Sequence, residues 1–151
     1  MNASAGALFS VIQQAGGDNG WFFANMLWRA RAALDRLLGG VGMRGRAREL
    51  RVGGINDFWR VEALELGRLL RFRAEMLLPG RAWLQLESLP EGPHARLRVM
   101  ALFEPRGLAG YLYWWLLYPI HRLIFDGMVD AIKRSAEQSV VSLPAAARQI
   151  A

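Results

Sequence analysis

The chain has 151 residues, of which 53% are hydrophobic, with six tryptophans, no cysteine and a formal net charge of +6. This suits one domain with a sizeable core, argues against wholesale disorder, and rules out disulfides, thiolate nucleophiles and Cys-ligated zinc. Lys133 is the only lysine, and the arginines are spread among acidic neighbours without forming a run, so nucleic acid is not an expected partner.

In chain order, residues 3–15 predict a short helix with Leu8, Val11 and Ile12 on one face, stopped by Gly16-Gly17. No basic residue precedes the apolar part of this segment, so a secretory signal is not expected and the cytoplasm is the default location. The loop GGDNG follows, with Asp18 or Asn19 as a candidate helix cap. Residues 21–38 then place Met26, Leu27, Ala30, Leu34, Leu37 and Leu38 at helical spacing, and Gly39-Gly40 ends that helix. Gly40, Gly42 and Gly45 match the glycine spacing of a dinucleotide-binding loop. That motif needs a strand before it and a helix after it, whereas here a helix precedes and an Arg-rich loop follows, so no nucleotide cofactor is read from it.

Residues 57–64, 69–77, 81–88 and 95–104 alternate with period two, the signature of half-buried strands, and the turn residues between them predict an antiparallel meander. Matching charge to charge across strands sets Glu62 opposite Arg73, Arg60 opposite Glu75, and Glu87 between Arg73 and Arg96. The inner face then carries Trp59, Met76, Leu84 and Val99 in one row and Val61, Ala74, Leu86 and Leu97 in the next. On the outer face the same registers align Phe58, Leu77, Trp83 and Met100, an apolar strip that is a candidate interface for a partner or a second copy unless a segment of the chain covers it.

Residues 107–138 predict a long helix divided by Pro119. Its first half is apolar on nearly every side. Residues 108–120 are too few to span a bilayer, although 111–120 could rest on a membrane surface. In the second half, Arg122, Asp126, Asp130, Arg134 and Glu137 face water while Ile124, Met128, Ile132 and Ala136 form a buried stripe. Residues 139–151 are expected to be a tail, with Pro144 breaking any helix. The predicted domain is therefore 1–138.

Sites of chemistry are few. His94 and His121 are too far apart for a metal site, and no nucleophile elbow is present. Asp57, on the inner side at a strand end, and His121, beside Pro119, are the groups that could transfer or anchor a proton. Glu75 is expected to be occupied by Arg60.

The segments GGDNGW (16–21), LDRLLGGVG (34–42), DFWRVE (57–62), PGRAWL (79–84), FEPRGLAG (103–110), PIH (119–121) and FDGM (125–128) together resemble a domain that commonly follows an NAD(P)-binding, sugar-epimerase-like dehydrogenase domain. That domain is similar to the START and polyketide-cyclase (SRPBCC) superfamily. The resemblance implies an α+β helix-grip fold like that of the birch allergen, an antiparallel meander packed on a long C-terminal helix. It also implies an apolar or amphipathic ligand between sheet and helix, and a dehydrogenase-like domain as a partner. The strand that normally opens the fold is not found before the first helix, so residues 46–52 or a partner chain should cover a sheet edge. Trp59, Met76 and Trp114 are the expected walls of the ligand site, with His121 and Asp57 as polar anchors. The alternatives are an oligomerisation or interaction domain with a vestigial cavity, and an enzyme of the cyclase or dehydratase type.

Overall fold

A computed structural model describes the backbone of residues 1–147 and the side chains of residues 1–139. Its elements are α1 (Ala5–Ile12), α2 (Asn25–Leu37), β1 (Ile55–Asn56), β2 (Trp59–Glu65), β3 (Leu69–Ala74), β4 (Gly80–Glu91), β5 (His94–Pro105) and α3 (Gly107–Ala147). The tail expected from residue 139, with its break at Pro144, is not what the backbone shows, since α3 runs unbroken to Ala147; residues 148–151 lie outside the described residues. The five strands form one antiparallel sheet in chain order, and α3 and α1 pack together against it. This is the expected α+β meander on a long C-terminal helix.

The stripe Ile124, Met128, Ile132 and Ala136 is buried, and it joins Leu8 and Ile12 of α1 and Leu70, Phe72, Leu84 and Leu86 of the sheet in one core. Pro119 does not divide α3. It lies on the exposed side, where the backbone acceptor that it leaves without an N–H can reach water. Close to the start of α3, a Cβ added at Gly110 would sit 2.4 Å from the carbonyl oxygen of Pro79, so glycine lets the helix press onto the β3–β4 connection.

Apart from the end of β2, the sheet keeps the expected faces but not the expected partners. Leu84 faces Phe72, not Met76, and Glu87 faces Arg98, not Arg96. Turn length is the cause. The β3–β4 connection takes the five residues 75–79, which places Met76 in a loop, and β4 and β5 join through Gly92-Pro93 alone. Because proline cannot take positive φ and Gly92 does (φ +61), this is a turn of the II′ kind. In the first hairpin Arg60 faces Arg73 and Val61 faces Phe72. A bulge between Val61 and Ala63 then turns Ala63 outward opposite Arg71 and Leu64 inward opposite Leu70.

The outer face is still laced by charge, through Glu75 with Arg60 and Arg44, and Glu87 with Arg98. The hydrogen bond from Arg60 and the neighbouring Arg44 hold the Glu75 carboxyl below its ordinary range, against the opposing effect of partial burial.

The row Phe58, Leu77, Trp83 and Met100 does not form. Asp57 takes a left-handed backbone conformation (φ +57), which turns Phe58 into the core, where it is fully buried. Leu77 sits in the β3–β4 connection, Trp83 pairs with Arg73 and Leu102, and Met100 pairs with Gln85. At the β1 edge Arg46 bridges Asn56 and the Ala47 amide donates to Ile55 O (2.9 Å), so part of the 46–52 segment covers that edge.

The second helix differs most from its sequence pattern. It starts at Asn25 behind Ala24, not at a cap from Asp18 or Asn19. Its buried residues are Trp28, Ala32 and Asp35, while Met26, Leu34, Leu37 and Leu38 are exposed.

The core stripe of α3 makes a direct test. Met128→Ala should destabilise the protein by about 2–5 kcal/mol, whereas exposed Leu116→Ala should change stability by no more than about 0.5 kcal/mol, both read from urea unfolding.

Candidate ligand-binding site

Two polar attachments hold α2 over the open end of the sheet. The Asp35 carboxylate is fully buried: Oδ1 accepts from the Leu77 amide (2.7 Å) and Oδ2 from the Gly42 amide (3.0 Å). Arg31, one turn earlier, faces Asp35 (3.5 Å) and donates through Nη2 to Leu77 O (2.7 Å). The glycines of 40–45 serve this arrangement. The Gly40 amide donates to Asp35 O (2.8 Å), and a Cβ at Gly40 would lie 2.3 Å from Asp35 Oδ2. The β3–β4 connection, which carries Met76 and Leu78, is thereby tied to α2.

Between α2, this connection, the ends of β4 and β5, and the first half of α3 lies a cavity of about 200 Å³. Trp59, Met76, Trp114 and His121 line it, joined by Trp28 and Arg31 from α2 and by Ala74, Ala101, Phe103 and Ile124. Trp114 stacks on Phe103 (5.5 Å between centroids, 6° between planes) and His121 lies 5.8 Å from Trp114, so α3 contributes a run of rings to one wall.

Asp57 is not among the lining residues. Its Oδ2 accepts from the Gly17 amide (2.9 Å) and from Trp21 Nε1 (2.9 Å), which makes it a tie between the N-terminal loop and the sheet. Leu77, Phe58 and Met100 also lie away from the cavity lining, and of the expected interface residues only Trp83 touches it.

The lining is mostly apolar, and four of its residues carry a buried polar atom without a hydrogen-bond partner. Trp28 Nε1, Trp59 Nε1, Arg31 Nη1 and His121 Nδ1 are buried and make no hydrogen bond. A buried polar group without a partner costs on the order of 1–3 kcal/mol, so four of them around one cavity mark a place with unused bonding capacity. Desolvation lowers the His121 pKa below its ordinary value of 6.5, which favours the neutral ring. The Arg31 charge is met by Asp35, so the cavity offers hydrogen bonds without net charge.

Sequence reasoning did not single out Trp28, Arg31 or Asp35. An arginine and an aspartate at i and i+4 on the second helix were the available signal, but that pattern describes an exposed pair equally well. Among the described residues there is no group of three potential ligands for a metal ion, and no helix is long and apolar enough to cross a membrane.

A family model described as "Protein of unknown function (DUF2867)" matches residues 1–128, a span that includes every residue lining the cavity. No curated protein and no solved structure gives a significant match.

Two outcomes are expected. Asp35→Ala should cost about 3 kcal/mol or more in chemical denaturation, because it strands the buried Gly42 amide, the partly buried Leu77 amide and Arg31; Asp35→Asn, which keeps one acceptor, should cost less. Because the folded pKa of His121 lies below its unfolded value, the unfolded state binds the proton first. Stability contributed by the neutral ring should thus be present above pH 6.5 and be lost as pH falls through that value towards the folded pKa. His121→Phe should remove this part of the pH dependence in melts recorded across the range.

Proposed function

The chain belongs to the DUF2867 family of proteins of unknown function, and we propose that it is a binding module for a neutral, apolar small molecule bearing a hydrogen-bond acceptor. The observation that carries this reading is an apolar cavity several of whose lining residues bear buried donors without partners. Indole nitrogens only donate, so Trp28 and Trp59 call for an acceptor such as a carbonyl or ether oxygen. The match of Arg31 with Asp35 and the neutral His121 favour an uncharged ligand over an anion. A cavity of about 150 Å³ can hold benzene, so the space of about 200 Å³ suits a molecule nearer the size of naphthalene.

Kinship with the START and polyketide-cyclase superfamily belongs to the same proposal, and the meander gripped by α3 supports it. Association with an NAD(P)-binding dehydrogenase-like domain rests on the sequence resemblance alone, and the cytoplasmic setting is likewise part of the proposal. Catalysis of the cyclase or dehydratase kind is the weaker reading. Of its two candidate groups only His121 borders the cavity, and the Asp57 carboxylate is engaged by Gly17 and Trp21.

The test is a tryptophan-fluorescence titration with 2-acetylnaphthalene and with 2-ethylnaphthalene, which has a similar shape but no carbonyl. Saturable binding is expected for both, with the ketone favoured roughly tenfold, the worth of one net hydrogen bond. Ala101→Phe should fill the cavity and abolish both. Absence of saturable binding, or binding unchanged in Ala101→Phe, would contradict the proposal.

A further inference from the structure

Two apolar helix faces point away from the core. On α2, Met26, Leu34, Leu37 and Leu38 are between 50 and 84% exposed, and on α3, Leu108, Leu112, Trp115 and Leu116 are between 62 and 77% exposed. The α3 residues recur every three or four positions, so they form one stripe along the side opposite Trp114 and Ile124. This explains why the first half of α3 is apolar all round: one side walls the cavity, and no described residue covers the other. The two faces approach each other at the cavity mouth, where Leu27 of α2 and Ile120 of α3 both line the cavity and remain about half exposed.

Among the described residues, the charge around these faces that is not already in an ion pair is of one sign. The only carboxylate in α2 is buried Asp35, and the first in α3 is Asp126, already paired with Arg122. Exposed Arg29, Arg36 and Arg106 fringe the apolar surface. In a twofold dimer the same patch would meet itself and bring these arginines together with no free carboxylate to receive them. An anionic partner fits better. Tyr111, Trp115 and Tyr118 are exposed on this part of α3 as well, and such rings favour the boundary between water and lipid.

We propose that the outward faces of α2 and of the first half of α3 form a docking surface for an anionic lipid bilayer, on which the protein lies without crossing it. Arginines supply attraction to the headgroups, and the leucines and Trp115 enter the boundary with the acyl chains. The inference stands independently of the cavity reading.

Flotation of the full chain with vesicles tests it, using phosphatidylcholine alone and phosphatidylcholine mixed equally with phosphatidylglycerol. The protein should float with the anionic vesicles, and much less with the neutral ones. The double variant Leu112→Glu with Leu116→Glu should stay behind while keeping its melting temperature and its affinity for 2-acetylnaphthalene, since neither residue lines the cavity. Arg29→Gln with Arg106→Gln should weaken binding about thirtyfold, as expected for two basic groups near a charged surface. The proposal is overturned if the wild type floats with neither composition, or if the glutamate variant floats as well as the wild type. It is also overturned if the wild type ignores vesicles and sediments as a dimer that the glutamate variant splits, which would make the face a self-association surface.

Discussion

A single buried carboxylate joins three parts of the chain. Asp57 receives the Gly17 amide and the Trp21 indole on one oxygen, its backbone carbonyl accepts from Arg44 Nε (3.0 Å), and its amide donates to Gly45 O (2.8 Å). The N-terminal loop, the segment before the sheet and the start of β2 are thus fixed at one residue. That residue takes a left-handed backbone conformation, which aspartate tolerates better than most side chains. Trp21, held in this way, contacts Trp28, Phe58, Trp59 and Phe72 at centroid distances between 5.3 and 6.2 Å. The aromatic core is built outward from that tie.

The position of α2 follows from polar attachment, not from its most apolar face. Asp35 and Arg31 fasten the helix to Leu77 and Gly42, and only Trp28 and Ala32 enter the core as apolar side chains. A helix held at such points need not close down on the sheet as a fully apolar face would. Space between α2, the sheet end and α3 is the consequence, and the leucines of α2 are left outside. The cavity and the exposed leucines of α2 therefore share one cause.

Much of the architecture could be read from period alone. The buried stripe Ile124, Met128, Ile132 and Ala136 and most inner faces of the strands were legible because the misjudged pairings slipped by an even number of residues, which leaves each side chain on its own face; beyond the bulge in β2 the slip is odd, and Ala63 and Leu64 exchange faces. Turn lengths were not legible, because Gly67-Arg68, Pro79-Gly80 and 90–93 each permit several connections with similar chemistry. The bulge before Ala63 and the reversal at Asp57 also leave no mark in the alternation. Trp59, Met76, Trp114 and His121 do border one cavity, although Met76 reaches it from a loop, not from a strand. Asp57 looked like a site residue because strand alternation pointed it inward, but its partners lie 36 and 40 residues earlier in the chain. The orientation of α2 depends likewise on Leu77, 42 residues from Asp35, so no local window contains it.

The central claim is that an apolar space persists beneath α3 in the folded protein. Diffraction from crystals held under xenon tests it most directly, since xenon enters dry apolar cavities without requiring hydrogen bonds. The account predicts a xenon peak bounded by Trp59, Trp114, Ala101 and Ile124, with Trp28 and Arg31 unmoved. An unoccupied site closed by inward movement of Trp59 or Met76 would contradict it.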